Sequence, residues 1–508
     1  MHVAPLEAGR VLFDDGDVLV VDKPARVSTQ ADGASDLVAR VRAWLASEKG
    51  EAAPYVAAHQ LLEREASGVV VLLRKRELNG AFQQALGAGR VEVSYVAAVE
   101  KKGRRTLVPI APFRGKLRDA LAKVGDVAGL EDGRVIAARA LVHATRVLFP
   151  HPRTGATIEV SAPVPAMFDR WVSGAWSVSP KVGDDDLEGR LVDAISLRWP
   201  LAVRSDVDVF RLVNDVGDAL PGVVIDLYGG HAVLSVLTDE ARALEEAIAK
   251  ALIARGVKGV YVKRRPKQAN VVADTRTDDI APARPIAGLA APESFVVREG
   301  ADRFVVRLGD GLSTGIFLDQ RDTRALVREL SAGKTVLNLF AYAGAFTVSA
   351  ARGGAKRTIS VDVAKTVLAW GEENLRENEI VDPKAHAFVA EDALSFLSRA
   401  RARGDRFDLV ILDPPSYATT KNARFTVEND YRALAAAAFR VTSAGGTVIA
   451  CTNHRGVSPT RFRGFLRDAA ATAHVRIRKE RERVPPLDFP PAPGEAPHLK
   501  TFVLDLEP

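Results

Sequence analysis

Apolar and polar positions divide this chain into three textures. In the first, runs of branched apolar residues such as VLFDDGDVLVVDKP and GVVVLLRK are punctuated by Gly, Asp and Pro, which predicts strands. The segment WVSGAWSVSPKVGDDDLEG closes this texture, mixing Gly, Ser and Pro with consecutive aspartates as linkers do. The second opens on helical spacing in RLVDAISLRWPLA, predicts two strands around a turn in DVFRLVNDVGDALPGVVIDLYGGHAVLSVL, and returns to helix in EARALEEAIAKALIARG. Beyond APARPIAGLAAPES, strands alternate with helices: KTVLNLFAY, RTISVDV, HAFVAED, FDLVILDPP and GGTVIACTN are the strands. Such alternation implies right-handed βαβ units and a mainly parallel sheet covered by helices on both faces. The expected organisation is an α+β domain over 1–172, a small α/β domain over 187–285 and a larger α/β domain over 292–508.

Composition narrows the class. The chain has 508 residues, of which 47% are hydrophobic and 26% charged. That suits about three folded domains and excludes a disordered or collagen-like chain. No stretch approaches the roughly 18 uncharged apolar residues of a membrane span, and acids interrupt the N-terminus where a secretory peptide needs an apolar core. A cytoplasmic protein is expected. A single cysteine, Cys451, excludes intramolecular disulfides and cysteine-rich zinc sites, and no metal site is expected. Lys plus Arg is 70 against 64 acids, a net charge of +6, which modestly favours a polyanionic partner.

In an open parallel sheet, ligands bind beyond the carboxyl ends of the strands. The first strand runs into LNLFAYAGAF, where small residues around Gly344 let a ligand approach the backbone at a helix start. Asp362 ends the next strand, where it can accept from ribose hydroxyls, and Asp392 ends the third, where it can meet an adenine amino group. To this point a dinucleotide-binding fold fits equally well. The fourth strand ends in Asp413, Pro414, Pro415, Ser416 and Tyr417. A rigid Asp-Pro-Pro holds a ring edge while Tyr417 offers a stacking face; alternatively, the prolines end the strand and Tyr417 is core.

These four elements in this order resemble class I S-adenosyl-L-methionine-dependent methyltransferases, whose catalytic domain is Rossmann-like. STGIFLDQRDTR, VDVAKTVLAWGEENLRENE and DPPSYATTK are similar to the large-subunit ribosomal RNA methyltransferases, both those acting on guanine N7 (methyltransferase K) and those acting on cytosine C5 (methyltransferase I). FRLVNDVGDALPGVVIDLYG resembles the small α/β domain preceding the catalytic domain in that group. The resemblance implies cofactor binding by Phe317, Asp319, Arg324, Phe340, Tyr342, Gly344, Asp362, Asp392 and Asp413, and base presentation by Asp413, Pro414, Pro415, Tyr417 and Asn453. It implies large-subunit ribosomal RNA, or a pre-ribosomal particle, as partner. The 313–324 run is also compatible with an ordinary capped helix start.

The two target bases demand different chemistry. Guanine N7 carries its own lone pair and needs only positioning, whereas cytosine C5 needs a thiolate adding at C6. Cys451 is a candidate nucleophile, or a small hydrophobe finishing a buried strand. Asn453, His454 and Arg455 match the guanine enzymes, so guanine N7 is favoured. VYVKRRPKQ at 260–268 is a candidate phosphate-contacting patch or a solvated edge. His498 is given no role.

The first 172 residues resemble pseudouridine synthases, which isomerise uridine in RNA. VLFDDGDVLVVDKPARV matches their opening, Tyr95 their active-site tyrosine, and His143 with FPHPRTGATIEVSAPVP their closing strands. In QLLEREASG, however, Gln60 stands for the family's His, Leu61 for its Arg and Glu63 for its catalytic Asp. An added methylene displaces the carboxylate, so a degenerate, RNA-binding domain is expected. A bifunctional enzyme and a catalytically inactive ribosome-assembly protein are the alternatives.

Overall fold

The computed structural model describes all residues except 1–2, 31–34, 114–116, 122, 124–125, 128–129, 132–133, 136–140, 175–184, 266–275, 420–423 and 493–494. Much of the expected linker after residue 172, and Pro266, Lys267 and Gln268 of the basic run, therefore lie outside the described residues.

The N-terminal region is built on a mixed sheet with the strand order Val11–Asp14, Val18–Lys23, Ser67–Leu73, Val142–Pro150, Glu92–Lys101, Arg104–Ile110. Pairing is antiparallel except between the third and fourth of these strands. Helix Leu37–Lys49, whose first turn is capped by the Asp36 carboxylate accepting from Ala39 N at 2.8 Å, buries Leu37, Val41 and Leu45 against it.

The central region departs from the two expected strands. It has three consecutive antiparallel strands, Val209–Asn214, Val223–Tyr228 and His231–Val236. The last two are joined by Gly229 and Gly230, both at positive φ (54° and 96°), which makes a tight two-residue hairpin. Helix Glu245–Ala254 then crosses to Gly259–Arg264, parallel to His231–Val236.

The C-terminal domain has strands β1 (Thr335–Leu339), β2 (Arg357–Asp362), β3 (His386–Ala390), β4 (Phe407–Leu412), β5 (Thr442–Thr452), β6 (Ile477–Arg483) and β7 (Lys500–Leu506) in the order β3-β2-β1-β4-β5-β7-β6. The first five run parallel to one another; β7 runs antiparallel to both its neighbours, β5 and β6. Its helices are α1 (Arg321–Leu330), α2 (Ala345–Arg352), α3 (Lys365–Glu377), α4 (Ala393–Arg403), α5 (Val427–Val441) and α6 (Pro459–Ala473). Apolar side chains line both faces, Leu337, Val410 and Leu412 toward α4, α5 and α6, and Val336, Leu409 and Ile411 toward α1 and α2. The strand order reverses between β1 and β4, which opens a crevice at their carboxyl ends.

Buried ion pairs join the three regions. Asp218 accepts from Arg26 of the N-terminal region (3.0 Å) and from Arg198 (2.9 and 2.5 Å), and Arg198 also donates to the Asp488 carbonyl at 2.9 Å. Asp488 in turn binds Arg321 at the start of α1 (2.7 and 2.9 Å) and the Arg211 N–H at 2.8 Å. Gly217 packs so closely there that a Cβ would lie 1.8 Å from the Pro490 carbonyl oxygen. Among the described residues, no helix is long and apolar enough to cross a membrane.

Candidate active site

The expected site residues converge on the carboxyl ends of β1 to β5. Between β1 and α2, Phe340 (φ 59°), Tyr342 (φ 49°) and Gly344 (φ 68°) all adopt the left-handed conformation. Two such non-glycine residues in one short turn are strained, a condition that recurs at ligand sites. Asp362 supports the turn by accepting from Tyr342 N and Ala364 N, each at 3.0 Å. Its half-buried carboxylate keeps lone pairs for a ligand. Asp392 is exposed and caps α4 through Ser395 N at 3.0 Å.

An aromatic wall borders the turn. Phe317, 54% exposed, lies 5.2 Å from the Tyr342 ring, which lies 6.2 Å from Trp370. Arg324 does not meet the expectation of direct ligand contact. It is buried, and it donates to both Glu299 oxygens (2.7 Å each) and to the Phe317 carbonyl (2.7 Å). Desolvating a guanidinium demands such full pairing, so Arg324 fixes Phe317 from behind.

Opposite this wall, Asp413 is half-buried, Pro414 buried, and Pro415 and Tyr417 exposed. The Ser416 hydroxyl donates to Asn453 Oδ1 at 2.7 Å, and Tyr417 Oη lies 2.8 Å from His454 Nε2. Tyr417 is thus half-exposed with a tethered hydroxyl, a ring face held open rather than packed in the core. Burial and then the neighbouring Asp319 push the Asp413 carboxyl up to about 7, against a hydrogen bond from Gln320 and the charge of Arg324. Burial likewise raises Asp319, against Arg211 and Arg324.

Gln320, inside the STGIFLDQRDTR run yet given no role by it, is the central connector. Its amide donates to Asp413 Oδ2 at 2.9 Å while its Oε1 faces Cys451 Sγ at 3.9 Å. Cys451 Sγ also lies 3.6 Å from Thr501 Oγ1 on β7. The thiol is fully buried, and burial, then Asp413, push it well above the ordinary thiol range. The sequence clue to Gln320 is a polar amide between Leu318 and Arg321, both buried, in a run the ligand-site residues already bracket.

A model of the S-adenosylmethionine-dependent methyltransferase family matches residues 271–503. A protein of Bacillus subtilis (strain 168) assigned as the ribosomal RNA large subunit methyltransferase YwbD is 35% identical over 303 residues, covering 59% of this chain and 74% of that protein. This chain belongs to the ribosomal RNA large-subunit methyltransferases. Ribosomal RNA large subunit methyltransferase I of Serratia proteamaculans is 32% identical, covering 56% of this chain and 70% of the relative. Methyltransferase K/L of Syntrophotalea carbinolica is 38% identical over 199 residues, 39% of this chain and 26% of its own. The crystal structure of SMU.776, assigned as a methyltransferase and complexed with SAH, superposes with a TM-score of 0.58 at 27% identity, covering 72% of this methyltransferase and 88% of that chain.

The enzyme uses S-adenosylmethionine. The donor set suits that cofactor: half-buried Asp362 and exposed Asp392 offer acceptors for hydroxyl and amino groups, and a strained backbone turn lies between them and an aromatic wall. The family model leaves residues 1–270 outside its match.

Proposed function

We propose that this methyltransferase modifies a ring nitrogen of a base in 23S ribosomal RNA, guanine N7 in preference to cytosine C5. The observation that carries the choice is the state of Cys451. Attack at C5 needs a thiolate at C6, and Cys451 is the one cysteine in the sequence. Its thiol is buried, hydrogen-bonded within β5, β7 and Gln320, and raised far above neutrality. Guanine N7 needs no thiolate and loses no proton.

In this reading Asp362 takes the cofactor ribose and Asp392 its adenine. The turn at 340–344, with Phe317 and Asp319, encloses the methionyl end. Bound there, S-adenosylmethionine supplies a methyl group made electrophilic by its sulfonium. Asp413 and the fixed Pro414–Pro415 backbone accept from the N–H groups of the base, Tyr417 stacks on its face, and Asn453, tied to Ser416, borders the ring. Catalysis then rests on alignment and exclusion of water.

Residues 1–172 form, in the same proposal, a pseudouridine-synthase-like module that binds RNA without isomerising it. Lys23, fully buried, donates to the carbonyls of Pro24, Val27, Arg64 and Ala66 and so pins the loop carrying Glu63. Leu61, where the related enzymes have Arg, is 62% exposed. Purified enzyme, labelled S-adenosylmethionine and either 23S ribosomal RNA or precursor particles test the proposal. Labelled 7-methylguanosine formed equally by wild type and Cys451→Ser supports it; labelled 5-methylcytidine, lost in Cys451→Ser, refutes it.

A further inference from the structure

The central and catalytic domains bring four cations to the mouth of the site. His498 is exposed, its carbonyl accepts from Lys500 Nζ at 2.8 Å, and desolvation first, then the charges of Arg455, Lys500, Arg211 and Arg265, hold its imidazole down at about 4. Two of the four are occupied. Arg211 is paired with Asp226 (2.7 and 3.0 Å) and bonded to Asn214, and Lys500 donates to the carbonyls of His454 and His498 at 2.8 Å each. The other two are available. Arg455 touches Asp215 only at 3.6 Å with its side chain 77% exposed. Arg265 is exposed and makes no side-chain hydrogen bond or ion pair among the described residues; its N–H donates to Val236 O at 2.9 Å, Val236 pairs with Val223, and Gly222 N donates to Asp215 Oδ1 at 2.7 Å, which sets Arg265 at the same end of the central sheet as the Asp215–Arg455 contact.

The cluster adjoins the chemistry. Arg455 follows Asn453 and His454, His454 holds the Tyr417 hydroxyl at 2.8 Å, and Arg211 acts electrostatically on Asp319, which neighbours Asp413. Like charges gathered at one rim repel one another in isolation, and an anion bound between them relieves that repulsion. A planar, permanently charged guanidinium suits a phosphodiester oxygen. A base drawn out of its stack brings its own flanking phosphates to the rim of the pocket that receives it.

We infer that Arg265 and Arg455, one from each domain and backed by Lys500, clamp the phosphodiester backbone flanking the target nucleotide. This rests on the RNA-methylating reading above but assigns a separate job: the clamp binds backbone of any sequence, and the pocket beyond it selects the base. It also gives the central domain a direct part in substrate binding.

The test is a salt titration of RNA affinity by fluorescence anisotropy, using a 23S ribosomal RNA transcript and, separately, poly(U). Wild type is compared with Arg265→Gln, Arg455→Gln and, as control, Arg476→Gln, whose side chain is 85% exposed and 4.0 Å from Glu507. Each clamp variant should weaken binding about three- to tenfold near 100 mM salt. Each should also flatten the slope of log Kd against log salt by about 0.7 to 0.9, the release of one counterion. Arg476→Gln should change neither, and cofactor affinity measured by calorimetry should stay at the wild-type value in all four proteins. Unchanged RNA affinity and slope in both clamp variants would overturn the inference. So would a matching loss of cofactor affinity, which would mark the cluster as a carboxylate site for the cofactor. If the slope falls on poly(U) while wild type methylates no 23S RNA, the clamp stands and the ribosomal RNA reading fails.

Discussion

Asp413 and Glu63 are two carboxylates at the candidate sites of two domains, and they are held differently. Asp413 ends a central strand, receives the Gln320 amide at 2.9 Å, and stands behind a Pro-Pro backbone. Glu63 sits on an exposed loop that Lys23 pins from beneath through carbonyls alone. Partial desolvation by the neighbouring loop raises its carboxyl, opposed by its own backbone N–H and by Lys23, and its charge adds to burial in raising Tyr95. Tight placement of the reacting group is worth orders of magnitude in rate. A carboxylate with one side-chain anchor on rigid elements is equipped for that; one on a longer side chain without such an anchor is not.

The largest expected effect breaks the pinned side of this contrast. Asp362→Ala removes the acceptor for Tyr342 N and Ala364 N and, in the proposed assignment, the ribose contact. Cofactor affinity by calorimetry should fall at least about a hundredfold, as expected for charge-assisted bonds. Wild-type affinity in this variant would remove Asp362 from the cofactor site.

Next comes the junction that holds the catalytic domain to the others. Burial alone would raise the Asp218 carboxyl, but Arg198 and Arg26 outweigh it and hold it well below the ordinary range. Asp218→Asn leaves buried guanidinium charge and should cost about 3–5 kcal/mol in chemical denaturation. Because the folded carboxyl is lowered, its stabilisation is present above about pH 4 and is lost as pH falls further. Acid melts should therefore be shallower in the variant than in wild type.

The Asp413 environment predicts the opposite sign. With the folded carboxyl raised to about 7, its contribution is present below about pH 4 and is lost as pH rises toward 7. Wild type should lose stability across that window relative to Asp413→Asn. If the ionised form accepts from the base, kcat/KM should rise through about pH 7. Asp319→Asn removes a like charge and should move that rise to lower pH. A Gln320→Ala variant, losing the amide that favours the ionised form, should move it higher and cut kcat about tenfold. A rise unmoved in both variants would show that Asp413 does not control it.

The smallest effects are expected where the contrast says nothing is pinned for chemistry. Glu63→Ala should leave methylation unchanged, and tritium release from uridine-labelled ribosomal RNA should be absent in wild type. Turnover that Glu63→Ala abolishes would make the N-terminal domain an active isomerase.

Legibility in the sequence follows the same physics. The βαβ alternation and the strand-end positions of Gly344, Asp362, Asp392 and Asp413 were readable because hydrophobic period and strand-end chemistry are local. The third central strand was not separated from its neighbour, although Gly229–Gly230 marks the hairpin. Arg324 read as a ligand contact because it lies in the STGIFLDQRDTR run that the resemblance assigns to the cofactor; only the fold brings Glu299 to it. Gln320 and the Asp488 junction depend on contacts far apart in the chain, which no spacing rule encodes. His498 carried no pattern at all, yet it marks the centre of the cationic cluster.

The central claim is that the transferred methyl goes to a ring nitrogen without help from the lone cysteine. Deleting the gene in its host, complementing with wild type or Cys451→Ser, and measuring 23S ribosomal RNA nucleosides by mass spectrometry tests it most directly. The account predicts that 7-methylguanosine falls on deletion and returns with both complementing genes. Loss of 5-methylcytidine, restored by wild type but not by Cys451→Ser, would contradict it.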